Sequence, residues 1–203
     1  MQKLTTLIFI VVFSTFKLLA QGSVEGNDLT VYGIDFTKAK FIGGEGFTNP
    51  SDIKNRIFEQ WNMLLANERE KYNVGAAFLK ANVNYEFDAV REKNAKVDDT
   101  KMVTYNASDE VQLSKVDLQK MVSSYKKVSR PGPGLVFIVQ AFNKASEMAT
   151  VHLVFFDNAS RKIITTRKMT ARPGGFGLRN YWASPFQKII ADAKRQYPTW
   201  GKD

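Results

Sequence analysis

The 203-residue chain has no cysteine. That absence excludes disulfides, thiol catalysis, thiolate zinc sites and a membrane anchor attached through an N-terminal lipidated cysteine. Histidine is almost missing too, with His152 the single instance. No second imidazole or thiolate can complete a typical zinc site, so no metal and no cofactor are expected. The chain carries no Gly-x-Ser-x-Gly elbow, which excludes the serine chemistry of the α/β-hydrolases. Its glycine run, Gly43-Gly44-Glu45-Gly46, lacks the Lys and Ser/Thr of a phosphate-binding loop and the spacing of a dinucleotide fingerprint, and reads as a turn. There is no internal repeat, no low-complexity linker and, after residue 20, no apolar run long enough to span a bilayer.

What is present starts with residues 1–20. Lys3 gives a basic start, and Leu4 to Ala20 is mostly apolar and free of acids, the pattern of a secretory signal peptide. Cleavage is expected after Ala20 or before Ser23. The apolar stretch is interrupted by Lys17 and falls short of the ~20 residues a spanning helix needs, so no stable membrane span is expected after cleavage. Residues 21–28 read as a flexible leader and 29–203 as one domain. A cysteine-free exported chain suits a bacterial envelope, so the expected location is periplasmic or secreted. The Asn-x-Ser triplets at Asn106 and Asn158 are then chance matches to a glycosylation pattern.

The strand signal is strongest between Gly134 and Trp182. Leu135 to Val139 is apolar at every position, so a strand there must be covered on both faces. Alternation puts Leu135, Phe137 and Val139 on one face and Val136, Ile138 and Phe142 on the other. Val151 to Phe156 repeats the pattern, with His152 facing alongside Val154 and Phe156 in a structural role. Lys162 to Met169 carries more charge and reads as an edge or half-exposed strand. Asn143–Ser146 and Asp157–Ser160 supply turns, and short polar turns imply antiparallel neighbours. Pro173–Gly177 breaks the sheet, and Ser184-Pro185-Phe186-Gln187 reads as a helix start with Ser184 as cap. Phe186, Ile189, Ile190, Ala193 and Tyr197 then form one helical face.

Earlier in the chain, Leu29 to Phe36 is a strand. Asn49 opens a helix whose apolar face is Ile53, Ile57, Trp61, Leu64 and Leu65, with Lys54, Arg56, Glu59 and Asn62 on the wet face. A short helix is expected over 74–80. Val83, Tyr85, Phe87 and Ala89 alternate with polar residues as a half-exposed strand. Residues 91–112 are loop-like, with a short strand at Met102–Tyr105. Ser114 to Asp117 is a capping box opening a helix with the stripe Leu118, Met121, Val122, Tyr125. The fold expected from these parts is a single α/β (α+β) domain, with a mixed, mostly antiparallel sheet of about five strands and helices on both faces.

The runs Gly134–Val139, Val154–Asp157 and Gly174–Trp182 resemble those of a group of uncharacterised exported proteins of Gram-negative gut-type bacteria, a family to which no activity is attached. The order of elements is more distantly similar to the α/β domains of curli-secretion-type lipoproteins and of the TolB N-terminal type. Those are envelope and assembly modules, which implies a binding role and no enzyme activity. The chain departs from the lipoproteins in lacking their lipidated cysteine.

Charge is uneven. Residues 21–114 carry 11 basic and 15 acidic side chains, a net of −4, and residues 115–203 carry 16 and 5, a net of +11. The expected function is a non-catalytic binding or envelope-assembly protein meeting an anionic envelope component or a protein partner, and not nucleic acid, which the export signal argues against. The candidate binding residues are Arg167, Arg172, Arg179, Asn180, Tyr181 and Trp182, on a basic hairpin and the turn that follows it, a surface that also holds Arg161, Lys162 and Lys168. Guanidinium, amide and aromatic groups together suit stacking and bidentate contacts to sugars or anions. The alternative is a glycan or cell-wall hydrolase using Glu86, Asp88 or Glu45 as paired carboxylates.

Overall fold

The computed structural model describes residues 24–130 and 132–200. The proposed signal peptide and Gln21–Ser23 lie outside the described residues. Seven strands form one sheet, and its core is parallel. β1 (Asp28–Asp35) runs parallel to β3 (Asn82–Tyr85) on one side and to β5 (Pro133–Asn143) on the other. Farther along the same edge of β5, β2 (Lys40–Ile42) takes the place of β1, parallel to β5 and to β4 (Val103–Thr104). β6 (Met148–Asp157) and β7 (Ile163–Ala171) add an antiparallel meander to the opposite edge of β5.

This corrects the expected mixed, mostly antiparallel sheet of about five strands: the described residues form seven strands, five of them mutually parallel. The short turns flanking β6 do produce antiparallel neighbours. Helices join β2 to β3, β3 to β4 and β4 to β5, and such a crossover brings the next strand in parallel, while β1 runs on into β2 through only residues 36–39 and keeps its direction. The class remains α/β. Because β5 lies inside the sheet and is covered on both faces, it is buried from Pro133 to Phe142.

Helices lie on both faces. On one, α1 (Pro50–Asp52), a π-helical turn (Ile53–Ile57) and α2 (Phe58–Asn67) form one continuous helix. It packs with α3 (Val74–Ala77) and α6 (Gly177–Gln196) on Leu29, Val31, Ile34, Phe137 and Phe155. On the other, α4 (Asp88–Asn94) and α5 (Lys115–Ser123) cover Tyr32, Val136, Ile138, Val154 and Phe156. The capping box of α5 forms in both directions between Ser114 and Asp117. Phe87 and Asp88, expected in a strand, stand at the N-terminal end of α4, and the strand stops at Tyr85. No helix among the described residues is long and apolar enough to cross a membrane.

Two β-bulges redirect side chains. Near Gln140 the pairing of β5 with β6 slips by one residue, so Phe142 joins Leu135, Phe137 and Val139 and not the Val136 face as alternation required. Near Gly33 the register of β1 against β5 slips likewise. Gly33 has φ +98°, and a Cβ there would lie 2.2 Å from Asn62 Oδ1. Asn62 is 1 % exposed, not on a wet helix face. Its Oδ1 accepts from the Ile34 N–H at 2.7 Å, and Asn94 Oδ1 accepts from the Phe36 N–H at 2.8 Å. Side-chain amides from opposite faces thus satisfy β1 where β3 no longer reaches.

The start of α6 also differs from expectation. The helix begins at Gly177, and Pro185 lies inside it. Proline has no N–H to give to the carbonyl four residues back, here that of Tyr181. That carbonyl accepts instead from the Gly174 N–H at 3.3 Å and from Ser184 Oγ at 3.1 Å. A turn folded back over the helix therefore replaces the missing donor, and the helix continues through the proline.

Candidate functional site

The six predicted binding residues divide among four settings. Trp182 is in the core, stacked on Phe142 at 4.6 Å and 9° and beside Phe47 at 5.3 Å. Tyr181 and Arg172 meet at Glu147 in the β5–β6 turn. Tyr181 donates its hydroxyl hydrogen to Glu147 Oε1 at 3.2 Å, and Arg172 Nη1 is 3.8 Å from Oε2. Arg167, on β7, has its guanidinium 5.5 Å from the Trp200 ring centre. Arg179 and Asn180 lie together in the first turn of α6, with Arg179 Nη1 donating to Asn180 Oδ1 at 2.9 Å.

The wider basic hairpin does not form one patch. Arg167 pairs with Leu153 and Lys168 with His152, residues of opposite sheet faces. Arg161 is 4 % exposed and internal. Its Nη1 donates to the Tyr32 hydroxyl at 2.8 Å and its Nη2 to the Lys126 carbonyl. The Tyr32 hydroxyl in turn donates to Asn158 Oδ1 at 3.0 Å. Asn158 is therefore buried, out of reach of a glycan.

Arg179 and Asn180 face a cleft of about 410 Å³ between the start of α6 and the start of α1. Local chemistry builds both walls. On one, Asn49 Oδ1 caps α1 by accepting from the Asp52 N–H at 3.0 Å. Asp52 then holds Arg56 in a two-pronged pair, Nε to Oδ1 at 2.8 Å and Nη2 to Oδ2 at 2.6 Å. That contact keeps the Asp52 carboxyl below its ordinary range. On the other wall, the Arg179 carbonyl accepts from Trp61 Nε1 at 2.8 Å, tying α6 to α2. Phe176 stands at the mouth, 95 % exposed. Gln60 lines the cleft as well, and its Oε1 is shielded from solvent without a hydrogen-bond partner among the described residues. Nearby, burial foremost and Glu68 next push the Tyr72 hydroxyl up to about 12, with Arg179 opposing.

The predicted carboxylates do not meet in this cleft. Glu86 pairs with Arg130 at 2.6 Å, Asp88 with Arg91 at 3.1 Å, and Glu45 sits exposed on the 3-10 turn Gly44–Gly46. None of the three lines this cleft. No group of three or more His, Asp or Glu able to hold a metal occurs among the described residues. Sequence reasoning found Arg179 and Asn180 but not Phe176, Arg56 or Gln60. The Gly-Gly-Phe-Gly setting of Phe176 was the available signal, since an apolar side chain between glycines in a turn has little to pack against.

Comparison with protein-family models, with curated proteins and with solved structures found no match to the chain.

Proposed function

We propose that the protein is a non-catalytic binding protein of the periplasm or cell exterior, and that it takes a polar envelope component, a saccharide bearing anionic groups, in the cleft between α1 and α6. The observation that carries this reading is the placing of Arg179 and Asn180 side by side in the first turn of α6, facing the cleft across from the Asp52–Arg56 pair. The surroundings suit the same ligand. Arg179 and Asn180 offer donors in a fixed fork, Thr48 adds a hydroxyl, and Phe176 offers an apolar face at the entrance. The envelope context follows from the signal-like residues 1–20 and from the resemblance to exported proteins. Glu86 and Asp88 are held in ion pairs and, with Glu45, lie outside the cleft, which gives the hydrolase alternative no support.

Co-sedimentation of the purified protein with Gram-negative cell-wall sacculi tests the reading. The double variant Phe176→Ala, Arg179→Glu should reduce retention about tenfold, with an unchanged thermal unfolding curve because both side chains stand at the surface of the cleft. Retention equal to that of the unaltered protein would contradict it.

A further inference from the structure

A larger crevice, about 750 Å³, opens where the second column of the sheet is interrupted. β1 ends at Asp35, opposite Ile138, and β2 begins at Lys40, opposite Ala141. Between them the chain leaves the edge of β5, and in the next column β3 has ended and β4 has not begun. The crevice therefore lies beyond the carboxyl end of β1, where open α/β sheets commonly hold ligands. Its walls are the connection from α4 to β4 on one side and α5 with the segment before it on the other.

Two properties meet there. The floor is apolar, formed by Val97, Met102, Leu113 and Met121. The rim carries five lysines, Lys38, Lys40, Lys93, Lys101 and Lys120, against two aspartates. Both aspartates are already engaged. Asp98 Oδ1 accepts from Thr100 Oγ1 at 2.6 Å and Oδ2 pairs with Lys101 at 2.9 Å, which hold its carboxyl down at about 2. Asp117 is committed to the α5 capping box. Lys40 gives its Nζ to the Lys101 carbonyl at 2.8 Å. Lys38, Lys93 and Lys120 have no ion-pair partner within 4 Å among the described residues.

The wall is held in place from inside the sheet. The bulged Gln140 accepts from the Leu113 N–H at 3.3 Å and donates to Glu110 at 2.6 Å, with His152 at 2.9 Å behind it. The segment that carries Val111 and Leu113 is thereby fixed above the opening.

We propose that this crevice is a second binding site, and that it takes a small amphiphilic anion: a compact carboxylate or phosphate head met by Lys38, Lys93 and Lys120, and an apolar body laid on Val97, Met102, Leu113 and Met121. Ammonium groups on flexible stems act as mobile point charges and can close on a small anionic head of either kind. A volume of this size accommodates a small organic ligand. The site shares no lining residue with the cleft of Arg179 and stands or falls independently of it.

Isothermal titration with octanoate, octyl phosphate, 1-octanol and inorganic phosphate tests it. Octanoate and octyl phosphate should each bind at one site, at least about tenfold tighter than octanol or inorganic phosphate. The triple variant Lys38→Glu, Lys93→Glu, Lys120→Glu should weaken both by at least about tenfold, and should leave thermal unfolding in place because all three changes are at the rim. A triple variant of equal charge change, Lys115→Glu, Lys188→Glu, Lys194→Glu, should keep the affinity. Equal binding by inorganic phosphate or by octanol would overturn the proposal. So would affinity unchanged in the rim variant, or binding seen only on anionic phospholipid vesicles, which would make the face a membrane contact.

Discussion

Single polar side chains decide much of the interior. Gln140 is the extra residue of a bulge, and its amide joins the sheet to the 110–113 segment while His152 shares its oxygen. Because that oxygen can only accept, His152 Nε2 carries the hydrogen. Burial first, and Lys168 second, lower the His152 imidazole from 6.5 to about 4. The folded protein therefore keeps His152 neutral over a range in which the unfolded chain takes up a proton. Stability is present in full above pH 6.5 and declines as pH falls towards 4, by up to about 3 kcal/mol from this residue. Urea unfolding across that window should show a steeper loss for the unaltered protein than for His152→Gln, which keeps a donor towards Gln140. Parallel profiles would contradict the assignment. Asn62, on a wet helix face by its spacing, and Asn94, within a stretch that reads as loop, belong to the same class and act as partners of the β1 backbone in the fold.

Among the elements, α6 shows how a local rule can be outweighed. Ser-Pro-Phe-Gln has the form of a helix start, yet the helix begins seven residues before Ser184. Trp182, buried against Phe142 and Phe47, lies within the part of the helix that precedes Ser184 and anchors it to the core. Trp182→Ala should cost about 3–5 kcal/mol in urea unfolding, and Cα shifts of Leu178 to Ala183 should be helical in the unaltered protein. A small stability change together with coil shifts there would mean that the helix starts at Ser184 after all. Amphipathic stripes and caps were legible in the sequence at Ile53 to Leu65 and Ser114 to Tyr125, but not at α4, whose start reads as strand and whose remainder reads as loop. They failed where a bulge or an internal proline resets the period, as at Gly33, Gln140 and Pro185, because the compensating partner is distant in sequence. Tyr181 with Gly174, Ile34 with Asn62 and Leu113 with Gln140 are such pairs.

At the scale of the whole molecule, charge read along the chain and charge read in space diverge. Four of the five crevice lysines lie in the stretch whose net charge is −4, so the basic rim is invisible until Lys38, Lys93 and Lys101 are brought together. The strongly basic half, in contrast, is spread over both faces of β7 and into the interior at Arg161. Both clefts depend on the parallel core, since it is the parallel placing of β1 and β2 along one edge of β5 that leaves the interruption and sets where the helices begin. Interstrand nuclear Overhauser contacts in labelled protein test that arrangement most directly. The account predicts amide-to-α contacts in the register Val31 with Leu135 and Ile34 with Phe137, and no α-to-α contacts between β1 and β5. Strong α-to-α contacts between these two strands would show them to be antiparallel and would contradict it.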